Sequence, residues 1–130
     1  MSAGPSGLAP WCLVALGGAG GASLRYAVAR LGAWLLPTAA FPWPTLLVNA
    51  LGCFLIGWWS PALARAHAPE AWRQLLVVGL LGGFTTFSAF SYETLELWRG
   101  GGHARAAAYV AASLVLCLAG TAAGLLLGRP

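Results

Sequence analysis

Polar side chains are few in this sequence, and several recur at helical spacing inside long apolar stretches. Thr45 and Asn49 are four residues apart and share one face of a helix, and Gly52 follows on that face. Together they form a narrow stripe of hydroxyl, amide and bare backbone. A polar group inside a membrane is costly, so each is a candidate functional residue. A hydrogen bond between two helices is the alternative explanation.

A second candidate is the segment 82–91, with the sequence Gly-Gly-Phe-Thr-Thr-Phe-Ser-Ala-Phe-Ser. Its two glycines and two β-branched threonines are poor helix formers. Thr85 lies close to the middle of its apolar stretch, so we predict a helix break near the membrane midplane. Broken helices at that depth present free carbonyl groups that can hold a cation. A continuous helix weakened by glycine is the alternative.

Two phenylalanines within this segment, Phe87 and Phe90, are three residues apart and point the same way. The edge of a phenyl ring carries partial positive charge, so in a dry pore the pair could face an anion. Ordinary core packing is the alternative. Hydroxyl groups surround the two rings and favour the pore; they belong to Thr85, Thr86, Ser88 and Ser91.

Further polar residues lie in the last and first apolar stretches. Tyr109, Ser113 and Cys117 are spaced at i, i+4 and i+8, and the first two could extend a track of hydrogen-bond donors. Arg25 and Glu93 are the only charged residues well inside the apolar stretches. They could pair with each other, Arg25 could attract anions into a vestibule, or the side chains could snorkel to the interface.

The composition requires a membrane around these residues. Of 130 residues, 59% are hydrophobic and 8% are charged, and a soluble domain carries about 25% charge. Four stretches are long enough to cross a bilayer, and we predict one four-span domain over 1–130; the spans are about 10–31, 45–64, 74–98 and 105–128. The arginines are scattered, which excludes a nucleic-acid surface.

The arginines also bear on orientation. With four spans, one side of the membrane receives Arg65, Arg73 and Arg129 and the other receives Arg30, Arg99 and Arg105, while Arg25 is left out because it lies inside the first span. The positive-inside rule then gives no preferred orientation. Such a chain can insert both ways, so two copies could pair antiparallel. A weak bias that charge counting does not resolve is the alternative.

The motifs taken together resemble the Fluc (CrcB) family of fluoride channels. The resemblance rests on three segments in the right order, covering residues 20–26, 45–52 and above all 82–93. It implies an all-α integral membrane protein of four transmembrane helices, with the third broken at the midplane. It also implies an antiparallel dual-topology homodimer with two fluoride pores, located in the inner or plasma membrane. Passive flow through these pores would lower cytoplasmic fluoride.

The resemblance further implies roles for single residues. In that family a structural Na⁺ on the dimer axis is held by backbone carbonyls that match Gly82 and Thr85. The pore positions are matched by Asn49, Phe87, Phe90, Thr45, Tyr109, Ser113 and Ser88, with Arg25 in a vestibule and Glu93 near the pore. Cys117 stands where a hydroxyl residue is expected.

Two other classes of function compete with a channel: a multidrug exporter and a pure assembly subunit, the second of which would not need the stripe of Asn49, Phe87 and Phe90. A small dual-topology multidrug exporter also has four spans, but it would need a carboxylate in the first span, where this sequence has only Arg25. An enzyme is not expected, because the sequence shows neither a metal-ligand cluster nor a nucleophile beside a base. The three cysteines, Cys12, Cys53 and Cys117, are interpreted as small apolar residues rather than a zinc or disulfide framework.

Overall fold

The computed structural model describes residues 7–129, and these residues are helical apart from short connections. Helix α1 runs over Leu8–Leu35 and α2 over Trp43–Arg65. Helix α3 covers residues 70–84 and α4 covers Phe87–Arg99, with a break between them. Helix α5 runs over His103–Gly128. The predicted all-helical class with four membrane-spanning helices is confirmed, counting α3 and α4 as one span.

Local sequence explains where these helices begin and turn. Pro44 lies in the first turn of α2, where the missing backbone N–H has no helical partner to lose. Gly101, between α4 and α5, has a φ of +81°, a conformation that side chains with a Cβ rarely adopt. The glycine triplet therefore reverses the chain within a few residues.

Helix α3 contains a feature that the sequence does not predict. Between a short α-helical start and the α-helical turn Gly82–Phe84, residues Arg73–Leu81 wind as a π-helix. Such runs are rare and are usually a single turn. Gly79 and Gly83 lie where α3 touches α1: a Cβ on Gly79 would contact the Val14 carbonyl, and one on Gly83 would meet the Gly18 carbonyl.

Small residues bring the helices together in two pairs. A Cβ on Gly17 or Gly21 of α1 would collide with the backbone of α3, and one on Gly124 of α5 would collide with the backbone of α2. The close approach that the GxxxG spacing predicts is therefore present in both pairs. Gly57 of α2 meets α5 in the same way.

The outer surface of the four helices is apolar. Only 11% to 22% of the residues in the most apolar window of each span are buried. The helices are long and hydrophobic enough to cross a membrane. The interior is narrow, with Tyr109 and Val48 as its largest fully buried side chains.

Candidate functional site

The break in the third span lies at Thr85 and Thr86, which both have extended backbone. Thr85 closes α3, because its amide and its hydroxyl both donate to the Leu81 carbonyl, each at 3.0 Å. Thr86 opens α4 as its N-cap, accepting the Ala89 N–H on its hydroxyl at 3.2 Å. The two threonines therefore end one helix and start the next.

Asn49 of α2 holds this break in place. Its Oδ1 accepts the Thr86 N–H at 2.7 Å, and its Nδ2 donates to the Thr86 carbonyl at 3.0 Å. The Asn49 side chain thus pairs the Thr86 N–H, which the interruption leaves without a helical acceptor, and gives the Thr86 carbonyl a further donor. An amide nitrogen carries two hydrogens, so Asn49 keeps one donor after this pairing.

The same hydrogen bonds free two carbonyl groups. In a continuous α-helix the Gly82 carbonyl would accept the Thr86 N–H, and the Thr85 carbonyl would accept the Ala89 N–H. Both donors are diverted, to Asn49 Oδ1 and to the Thr86 hydroxyl. Gly82 is exposed, and a Cβ placed on it would meet nothing within 4 Å. Two backbone oxygens of the kind that can hold a hard cation are therefore left without helical donors, one of them at the exposed Gly82.

A third carbonyl at the break is occupied by Arg25. The Arg25 Nε donates to the Gly83 carbonyl at 3.1 Å, near the end of α3 where the helix dipole favours positive charge. Of the alternatives for Arg25, pairing with Glu93 is absent in residues 7–129, since the Glu93 carboxylate binds other partners. Arg25 instead ties α1 to the break.

Phe87 and Phe90 line a cavity beside the break. The cavity has a volume of about 280 Å³, and its walls are Asn49, Cys53, Thr85, Thr86, Phe87, Phe90, Ser113, Leu114, Cys117 and Leu118. The two phenyl centroids are 5.4 Å apart, and Phe90 is 5.2 Å from the Tyr109 ring. Ser88 stays outside the wall, with its hydroxyl 3.0 Å from that of Thr86. Phe87 is 76% exposed, so its ring borders the open side.

Ser113 is the most informative polar residue of this wall. It is buried, with 6% of its surface exposed. Its hydroxyl is the one buried side-chain polar atom within residues 7–129 that has no hydrogen-bond partner. Such a group is expensive to leave unpaired, and Ser113 is one of the residues that line the cavity. The arrangement suits a guest that accepts a hydrogen bond.

A second polar cluster lies toward the connection between α1 and α2. The Glu93 carboxylate accepts the Thr45 hydroxyl on one oxygen and the Tyr109 hydroxyl on the other, each at 2.7 Å. Thr45 and Tyr109 are both buried. Thr45 and Tyr109, singled out by helical spacing, and Glu93, singled out as a charge inside a span, therefore meet in one hydrogen-bonded group. Both hydroxyls act as donors to Glu93.

The Glu93 cluster opens into a wider cavity of about 440 Å³ at the mouth of the bundle. Its wall includes Phe41, Tyr92, Glu96 and Arg105. The sequence pattern did not indicate that Phe41, Arg105 and Cys53 are cavity residues. Cys53 lines the 280 Å³ cavity beside the break, called the inner cavity below. For Cys53 a signal existed, because it follows Asn49 by four residues and so continues the stripe of α2. Phe41 and Arg105 lie near the ends of the spans, where no periodicity marks them.

Comparison with known proteins places this arrangement in a family. The profile of the CrcB-like protein family, Camphor Resistance (CrcB), matches residues 12–125. A protein of Rhizobium etli named fluoride-specific ion channel FluC is 48% identical over 120 residues, covering 90% of this chain and 94% of its own length. A protein of the same name from Thermus thermophilus is 53% identical over 115 residues, covering 86% of this chain and 87% of its own.

A third relative of that name, from Geobacter sulfurreducens, is 46% identical over 117 residues, covering 89% of this chain and 94% of its own length. The matches extend through all four spans, including the break and both polar clusters. With four apolar helices, the chain is a multi-pass membrane protein. It belongs to the CrcB family.

Proposed function

We propose that this protein is a fluoride-selective channel that lets fluoride leave the cytoplasm down its gradient. The observation that carries the proposal is the close similarity to proteins named fluoride-specific ion channels, at 46% to 53% identity over most of the chain. As those relatives are named ion channels, an enzymatic activity is not proposed. The multidrug exporter has no comparable support, and α1 carries no carboxylate for proton exchange.

The chemistry of the inner cavity supports this function. Fluoride is small and strongly hydrated, so a pathway must replace its water with hydrogen-bond donors. The cavity offers the unpaired Ser113 hydroxyl, the second amide hydrogen of Asn49 and the edges of Phe87 and Phe90. No charged side chain lines it. Neutral donors bind an anion without trapping it, and conduction requires that balance.

The proposal includes an antiparallel homodimer with two pores and a Na⁺ at its centre. The free Gly82 and Thr85 carbonyls would hold the ion, one pair from each subunit, and the ion would fasten the two breaks together at the midplane. Three features support the dimer: the open face at Gly82, the exposure of Phe87, and equal numbers of arginines on the two sides of the membrane.

A liposome assay tests the function directly. Purified protein is reconstituted into vesicles loaded with potassium fluoride, and valinomycin starts the efflux, which a fluoride electrode records. Fluoride should leave rapidly, while matched vesicles loaded with chloride should retain their anion. Equal efflux of both anions would contradict the proposal. Replacing Na⁺ on both sides by a bulky organic cation should slow fluoride efflux if the central ion is required.

A further inference from the structure

Two cysteines on neighbouring helices line the same cavity. Cys53 lies one turn beyond Asn49 on α2, and Cys117 lies one turn beyond Ser113 on α5. The Thr121 hydroxyl donates to the Cys53 carbonyl at 3.1 Å and fixes the register of the two helices. Cys53 and Cys117 therefore lie on neighbouring helices, and both line the 280 Å³ cavity.

The surroundings decide which ligand such a pair could take. No His, Asp or Glu lines the cavity, and the described residues contain no cluster of three metal-binding side chains. A tetrahedral zinc site needs four ligands and is excluded there. Two thiols suffice for a soft metal ion with linear coordination, such as Cu⁺, Ag⁺ or Hg²⁺, because thiolates select soft metals.

Charge distinguishes among these ions. Two thiolates around a monovalent ion leave a net negative charge in an apolar cavity, and an unpaired charge there is costly. Two thiolates around a divalent ion leave a neutral centre. We propose that Cys53 and Cys117 together form a two-thiolate binding site for a soft divalent metal ion of the Hg²⁺ type.

The binding reaction balances without a redox step. One HgCl₂ reacts with two thiols: both S–H bonds break, two S–Hg bonds form, and two protons and two chloride ions leave to solvent. Since HgCl₂ is uncharged in chloride solution, it can enter the apolar bundle. Cys53 and Cys117 are both half-buried, whereas Cys12 is exposed on α1 and serves as an unpaired comparison.

The site has a consequence that rests on the proposed function. A metal ion bound by Cys53 and Cys117 would occupy part of the same cavity that Asn49 and Ser113 line. Fluoride using these donors would then be blocked, and a dithiol reagent that extracts the metal should restore its flow.

The test begins with stoichiometry in a Cys12→Ala protein, which removes the exposed thiol. After treatment with HgCl₂, mass spectrometry under denaturing conditions should show each chain heavier by one mercury and lighter by two hydrogens. Adding Cys53→Ala or Cys117→Ala should abolish this bridged adduct and leave at most a mercury–chloride adduct on the remaining thiol. Two separate mercury–chloride adducts on the Cys12→Ala chain, or a mercury bridge between two chains, would overturn the inference.

Fluoride efflux from liposomes provides the second readout, with each variant compared before and after HgCl₂. Efflux through the Cys12→Ala protein should be lost on treatment and recovered with dithiothreitol. The remaining efflux of a variant that lacks all three cysteines, Cys12, Cys53 and Cys117, should resist treatment. A bridged adduct without loss of efflux would mean that the metal site lies outside the fluoride pathway. If untreated protein passes no fluoride, the proposed function fails, while the adduct mass still decides whether the metal site exists.

Discussion

Removing the Ser113 hydroxyl should separate ion flow from folding. The hydroxyl is buried and has no partner within residues 7–129. An unsatisfied buried polar group costs about 1–3 kcal/mol, so Ser113→Ala should leave the free energy of unfolding unchanged or raise it by up to this amount. A hydrogen bond to a charged group contributes about 1.5–3 kcal/mol. If passing fluoride accepts that bond, efflux should fall roughly ten- to a hundredfold.

The assay pairs fluoride efflux from liposomes with thermal unfolding in detergent. Thr121→Val is a matched control, because it removes a hydroxyl that is already bonded, to the Cys53 carbonyl, and lies outside the cavity wall. This control should lower the stability by about 1 kcal/mol while efflux stays near normal. Ser113→Ala should therefore lose efflux but not stability, and Thr121→Val should lose stability but not efflux.

Two results would refute the reasoning about Ser113. Normal efflux through a folded Ser113→Ala protein would mean that the hydroxyl does not face the ion. A loss of efflux accompanied by a clear fall in the melting temperature would mean that Ser113 supports the fold instead.

Other predictions concern the break, the rings and the orientation. Phe87→Ile or Phe90→Ile should cut fluoride efflux sharply while the protein elutes as a dimer, because Ile keeps apolar bulk but lacks the positive ring edge; normal efflux from both would place the pore elsewhere. Asn49→Leu should lower the unfolding free energy by about 1–3 kcal/mol, since it leaves the Thr86 N–H unpaired; an unchanged melting temperature would contradict this. Two lysines added to the connector 66–69 should bias that side of the protein to the cytoplasm. A fluoride-sensitive bacterium that carries this variant alone should then be less resistant to fluoride. Co-expression with a second variant, which carries two lysines beside Arg99, should restore the resistance. Full resistance from one variant with a single topology, established by cysteine labelling, would argue against antiparallel pairing.

Local composition was sufficient for the spans and for the position of the break. Apolar stretches of about twenty residues predict membrane helices because the bilayer excludes unpaired backbone. The Gly and Thr residues of 82–86 disfavour a helix locally, and the structure interrupts the third span at Thr85 and Thr86. The motif around this segment also indicated the family. All of these features depend on residues close together in the sequence.

The partners of the polar groups could not be predicted in this way. Helical spacing placed Thr45 and Asn49 on one face, but it did not show that Asn49 binds the Thr86 backbone, 37 positions away. Likewise, Arg25 and Glu93 had several equally plausible partners as isolated charges. Their contacts with Gly83 and Tyr109 follow from how α1, α4 and α5 pack.

The sequence by itself determined that the protein lies in a membrane, that it has four spanning helices and that the third span is broken. It also indicated the family. Each of these follows from composition or from a local pattern. The tertiary structure decided which hydroxyl remains unpaired, which carbonyls are free and which two cysteines line one cavity. Those properties depend on the register between helices distant in sequence. Close contacts at glycines such as Gly21 and Gly124 set that register, and helical periodicity alone specifies the face of a helix but not the neighbour that covers it.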